Sequence, residues 1–181
     1  MKKTLVSAAL SVLLLAGCDN KSYGVSSFTA TDSDIQNTTS VQDGLDIWER
    51  DIYIDDLHNK YVQFVNDEEA FYDIYYYAEN DDDVNNAIAA AEKCLSSLEA
   101  LAAVEPPDML MQYHEVLVEE TQRERHYYED LISLMSYFCG HITLTYEEID
   151  QISKELDEYL NAEGSPLGDA YIAVVDAATN Y

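Results

Sequence analysis

The stretch VNNAIAAAEKCLSSLEALAAVEPPDMLMQYHEVL, residues 84–117, decides the fold. In its first half Val84, Ala87, Ile88, Ala91, Leu95, Leu98 and Ala102 recur three or four positions apart, the period of one helix face. The stripe is narrow and rich in alanine, so this helix, read from about residue 84 to 103, needs a close neighbour. Pro106 and Pro107 then break the chain and restart it, because proline is tolerated in a first helical turn, where no amide hydrogen is required. Beyond them Leu110, Tyr113, Leu117, Tyr128, Leu131, Met135 and Phe138 mark one face of a helix reaching to about residue 138. A hairpin of two amphipathic helices results, turning near Glu105.

The flanks extend the same pattern. Residues 41–79 contain no proline and only Gly44, and Ile47, Ile54, Leu57, Tyr61, Phe64, Val65, Tyr72, Tyr75 and Tyr76 fall on one face at 100° per residue. Downstream, Gly140 supplies a stop. Thr145 and Glu148 make a capping box, and Leu144 with Ile149 can form a hydrophobic staple, so a fourth helix starts there. Ser165 and Pro166 mark a break, after which Tyr171 to Ala178 forms a last short helix or a continuation. No stretch alternates convincingly with period two. The expected domain, residues 41–181, is therefore all-α, an antiparallel up-and-down bundle of about four helices with a short last helix. The segment PPDMLMQYHEVL, residues 106–117, and the helix order around it are similar to a loose class of uncharacterised small bacterial lipoproteins, in which a helical hairpin turns at prolines and a histidine follows. That resemblance carries no known chemistry.

The amino terminus has a basic start, Lys2 and Lys3, then an apolar run from Leu5 to Ala16, the layout of a bacterial export signal over residues 1–17. The run is too short to span a bilayer, which takes about 20 apolar residues. Leu15, Ala16, Gly17 and Cys18 resemble the lipobox of bacterial lipoproteins. The resemblance implies that Cys18 carries diacylglycerol, that cleavage precedes it, and that the new amino terminus accepts a further fatty acid such as palmitate. Two or three acyl chains anchor stably where one is marginal, at about 0.8 kcal/mol per buried methylene. Asp19, by resemblance to enterobacterial-type lipoproteins, implies retention on the inner membrane facing the periplasm if the cell is Gram-negative. Residues 18–40 are rich in Ser, Thr, Asp and Asn and read as a disordered tether with an end-to-end distance of roughly 25 Å.

The chain carries 9 basic and 36 acidic residues, and losing Lys2 and Lys3 with the signal takes its net charge from −27 to −29. Nucleic acid is excluded as a partner, because affinity there comes from Lys and Arg neutralising phosphates. Anionic headgroups are repelled as well, which leaves attachment to the acyl anchor. The acids read as a solvated, salt-tolerant surface, as a face for a basic protein partner, or as a low-affinity cation sink. Cys94 and Cys139 are expected as free, mostly buried thiols. With the hairpin turning near Glu105 they lie roughly 33 Å apart along the helices at 1.5 Å per residue, far beyond the 7 Å limit for a disulfide.

Two candidate cation sites stand out. Residues 81–92, DDDVNNAIAAAE, are similar to the EF-hand calcium loop, which would place Asp81, Asp83 and Asn85 at positions one, three and five, Ile88 at eight and Glu92 at twelve. Asn86 stands where that loop has glycine, and Asn80 where it has an apolar residue. The same residues also read as an N-cap at Asn80 or Asp81 with acids favouring the positive end of a helix. The second candidate is a layer of Glu68, Glu120, Glu124 and Glu163, each falling on an apolar face at a similar height in the bundle. Buried carboxylates need protons, basic partners, tyrosine hydroxyls, water or a metal. A metal there would resemble di-iron carboxylate sites, yet the Glu-x-x-His pairs of that family are absent, and His126 with Glu129 sits in reversed order.

The run FYDIYYYAEN, residues 71–80, reads as core and rim of the bundle more readily than as a ligand platform. His58, His114, His126 and His141 are scattered and are expected at surfaces or edges. Haem-attachment, nucleophile-elbow and phosphate-loop motifs are absent. The expected function is that of a lipid-anchored, non-enzymatic protein-binding or accessory module of the envelope, with no cofactor required. The alternative is a divalent-cation binder.

Overall fold

The computed structural model describes residues 47–161 and 165–180. The expected signal over residues 1–17, Cys18, the expected tether over residues 18–40 and Glu163 lie outside them. Five helices follow in order: α1 over Ile47–Tyr75, α2 over Asp81–Ala102, α3 over Met111–Phe138, α4 over Tyr146–Leu160 and α5 over Pro166–Asn180, with a single 3-10 turn at Asp108–Leu110. The fold is all-helical, with no strand among the described residues. No described helix is long and apolar enough to cross a membrane.

Packing follows from which stripes are narrow and small. α1 lies against α2, α2 against α3, α3 against α5, and α5 against α1, so these four enclose the core, while α4 lies against α3. The last helix is therefore not a short appendix. It begins at Pro166, five residues before the expected Tyr171, and buries Leu167, Ala170, Val174 and Ala178. Gly168 lets it come close to α1: a Cβ there would stand 3.2 Å from the Tyr61 hydroxyl and 2.9 Å from Ser165 Oγ. Tyr61 stacks on Tyr171 across the same contact, with ring centroids 4.0 Å apart.

The stripe expected on α2 is enclosed in part: Val84, Ala87, Ala91 and Leu98 are buried, Ile88, Leu95 and Ala102 are half-buried, and Cys94 and Leu101 complete the inward face. On α1 the buried face is turned by about one residue from the expected one. Tyr53, Leu57, Phe64, Phe71 and Tyr75 are buried, whereas Ile47, Val65 and Tyr76 are exposed. Aromatic and β-branched residues surround this helix on all sides, so the apolar wheel is broad and its centre poorly marked. In α3, Tyr113 is exposed and His114 takes the inward place.

Helix ends obey local chemistry. Asn80 caps α2, its side chain accepting from the Asp82 and Asp83 amides at 3.0 and 3.1 Å. Thr145 and Glu148 form the expected reciprocal box at α4. α3 stops at Gly140, whose φ of +76° suits a residue without Cβ. The His141 amide then reaches back to the Ser136 carbonyl at 2.9 Å and closes the end.

Candidate functional site

The two cation sites expected from sequence fare differently. Residues 81–92 lie wholly within α2, so they form helix and cap where a calcium loop would need to wrap around an ion. Asp81 and Glu92 are separated by about 16 Å of helix, at 1.5 Å per residue. Asp83 accepts from Asn80 Nδ2 at 2.6 Å and from the Glu79 amide at 3.1 Å, so its carboxylate already serves the helix start. An open recess of about 450 Å³ between α1 and α2 includes Asp83, Asn86 and Lys93 in its wall but gathers no set of converging ligands.

The glutamate layer is formed in part. Glu68 of α1 and Glu124 of α3 are brought together in the interior, and each accepts from a tyrosine. The Tyr128 hydroxyl donates to Glu68 Oε1 at 3.2 Å, and the Tyr159 hydroxyl of α4 donates to Glu124 Oε2. Tyr72 and Tyr127 join hydroxyls beside them at 3.1 Å. Burial pushes the Glu124 carboxyl up to about 7, opposed by the Tyr159 hydrogen bond and reinforced by the charge of Glu68. Glu68 is raised as well, again by burial. Glu120 stands at the edge of this layer: it is half-exposed and pairs with Arg123 at 3.7 Å, and its charge adds to the raising of Glu124. A carboxyl that titrates near neutrality inside a ring of tyrosines can hold a proton in the core.

Heights along the bundle differ from the expected ones. Cys94 lies beside Tyr128, not beside a residue near 117, because residues 103–110 form a broad connection with a 3-10 turn and not a tight hairpin. The two thiols are then separated by about 16 Å along α3, half the expected distance and still no disulfide. Both cysteines are free, Cys94 buried and Cys139 half-buried, and burial pushes the Cys94 thiol up to about 12.

Three of the four histidines make side-chain contacts between helices. Buried His114 accepts from or donates to the Tyr53 hydroxyl at 2.9 Å through Nδ1, with the Ala102 backbone as a second partner, and burial lowers its basicity. His58 bonds the Tyr171 hydroxyl at 2.7 Å. His126 Nε2 stands 3.1 Å from Glu155 Oε2 and 3.9 Å from Asp130 Oδ2. These three line an open recess of about 180 Å³ with Arg123, Tyr127, Glu158 and Tyr159, where α4 meets α3. Asp130 is only 8% exposed, and its carboxyl is pushed up to about 6 by burial, opposed by His126 and reinforced by Glu155. The signal missed in the sequence is the His126-to-Asp130 spacing of four, which puts both on one side of a helix.

Comparison with protein-family models, with curated proteins and with solved structures finds no match for this chain.

Proposed function

We propose that the protein is a lipid-anchored, extracytoplasmic binding module, not an enzyme, that presents an acidic face to a basic protein partner in the envelope. The observation that carries the reading is the outward side of α4. Glu147, Glu148, Asp150, Asp157 and Glu158 are all exposed there, and Lys154, which pairs with Asp150 at 2.6 Å, is the only basic residue of the helix. A field of one sign steers an oppositely charged partner and is screened within about 10 Å at 0.1 M salt. The lipobox supports anchoring through Cys18, and residues 18–40 support a tether that lifts the domain off the headgroups.

An antiparallel, up-and-down course of the helices belongs to the same reading. It is supported by the pairing of Asp67 with Ser97 between α1 and α2, and by Tyr53 with His114 and Glu68 with Tyr128, which ascend together along α1 and α3.

Two experiments test this. Cys18→Ala should move the protein from the membrane fraction to the soluble one; persistence in the membrane defeats the anchor. A partner cross-linked in envelope extracts should lose affinity with salt and with Glu147→Lys, Asp157→Lys and Glu158→Lys together. The same reversal at Glu49, Asp55 and Asp56 on α1 should matter less. Equal loss from both sets would reduce the face of α4 to general surface charge.

A further inference from the structure

We propose that His126, Asp130 and Glu155 form a divalent-metal site of the zinc class that fastens α4 to α3. His126 and Asp130 lie one turn apart on α3, and Glu155 reaches them from α4. One ligand atom from each lies within 4.8 Å of the others. Ligands about 2.1 Å from a tetrahedral zinc stand roughly 3.4 Å from one another, so modest rotations of the two more exposed side chains, His126 and Glu155, complete the set.

Three features distinguish this group from an ordinary ion pair. Asp130, nine-tenths buried, faces a second carboxylate, and among the described residues neither it nor Glu155 forms an ion pair with lysine or arginine. Arg123 borders the recess but lies over the Tyr159 ring, 5.9 Å from its centroid, and pairs with Glu120. Secondly, the imidazole presents Nε2 to both carboxylates and turns Nδ1 towards Glu129 at 3.9 Å. At that distance no hydrogen bond is made, and Glu129 also pairs with Arg125 at 3.4 Å; a small rotation would bring it to the far side of the ring, where a carboxylate fixes the tautomer of a ligating imidazole. Thirdly, the recess opens to solvent, which gives an ion an entry path and leaves room for water in a fourth position. One imidazole nitrogen and two carboxylate oxygens suit zinc. Calcium, which takes six to eight oxygens, finds too few here.

Isothermal titration of zinc chloride into the full chain in detergent micelles, after chelator treatment, tests the site. The expected result is one equivalent per chain, weakened more than about tenfold by His126→Gln and by Glu155→Gln and unchanged by Cys139→Ser. Hydrogen exchange across residues 146–160 should slow on zinc addition in the unsubstituted chain and not in Glu155→Gln. Both substituted side chains reach the surface, and far-ultraviolet circular dichroism checks that each variant is folded. No saturable binding, or binding that survives both ligand substitutions, overturns the site. Loss with Cys139→Ser alone assigns the zinc to the thiol and overturns it equally. Binding without slowed exchange in α4 overturns the bridge between helices.

Discussion

α2 and α4 are both amphipathic, both capped by a side chain, and attached to the molecule in opposite ways. α2 is held between α1 and α3 and buries eight of its residues, several of them alanines that let its neighbours approach. α4 has the sharper division between an apolar and a charged face, yet it lies against α3 and buries only Leu156. Amphipathicity marks which side of a helix turns inward. How much of that side is enclosed depends on the number of neighbours, and small residues permit more of them. α2 therefore belongs to the cooperative core, whereas α4 is held by one enclosed leucine, by half-buried Ile149, Ile152 and Leu160, by Tyr159 stacked on Tyr127 and bonded to Glu124, and by the His126 group.

The largest effect should come from cutting the same side chain in both helices. Leu98→Ala in α2 is expected to cost about 3 kcal/mol of global stability in denaturant unfolding. Leu156→Ala should instead release α4 first, seen as faster amide exchange over residues 146–160 with a smaller shift in the global midpoint. Equal global losses would make α4 an integral part of the core and break the comparison.

Next in size is pH. Glu124 titrates near 7 when folded against an ordinary value of 4.5, so the folded state holds its proton longer than the unfolded one. Stability is then greatest below about pH 4.5 and falls as pH rises towards 7, by on the order of 3 kcal/mol from this group. Unfolding in EDTA at pH 5 and pH 8 measures the difference, and Glu124→Gln should reduce it, leaving the smaller dependence that Glu68 and Asp130, also raised by burial, contribute. Because Tyr159 of α4 covers this carboxyl, exchange in α4 should rise before the global midpoint moves.

Smaller again are the caps. Asn80→Ala and Thr145→Ala each remove one side-chain acceptor from a helix start, a change of about 1 kcal/mol. The first should appear in global unfolding and the second in local exchange of α4. Lys154→Ala, on an exposed pair within α4, should leave the melting temperature unchanged.

What could be read from the residues follows the range of the interactions. The box of Thr145 and Glu148 is four residues long, and the start of α4 was legible from it. Gly140, Pro166 and the alanine stripe of α2 are likewise local. Register was not: Cys94 lies by Tyr128 because of the shape of the connection at residues 103–110, which no periodicity encodes. Glu68 and Glu124 were legible as acids on apolar faces, and their tyrosine partners came from other helices. His114 escaped because its reason to be buried is Tyr53, 61 positions away. Half of the His126 group is an i, i+4 pair that helical spacing could have flagged, and the other half, Glu155, arrives only with the packing of α4 on α3.

The aromatic residues divide the optical signals of this protein by depth. The one tryptophan of the chain, Trp48, stands at the start of α1 and is 77% exposed. The tyrosines carry the interior, with Tyr128 fully enclosed and Tyr127 stacked on Tyr159 at 4.1 Å. Tryptophan emission therefore reports on the start of α1, and a partner arriving there would shift its colour. Near-ultraviolet dichroism and tyrosine absorbance report on the core, so one sample under two lamps separates docking from unfolding.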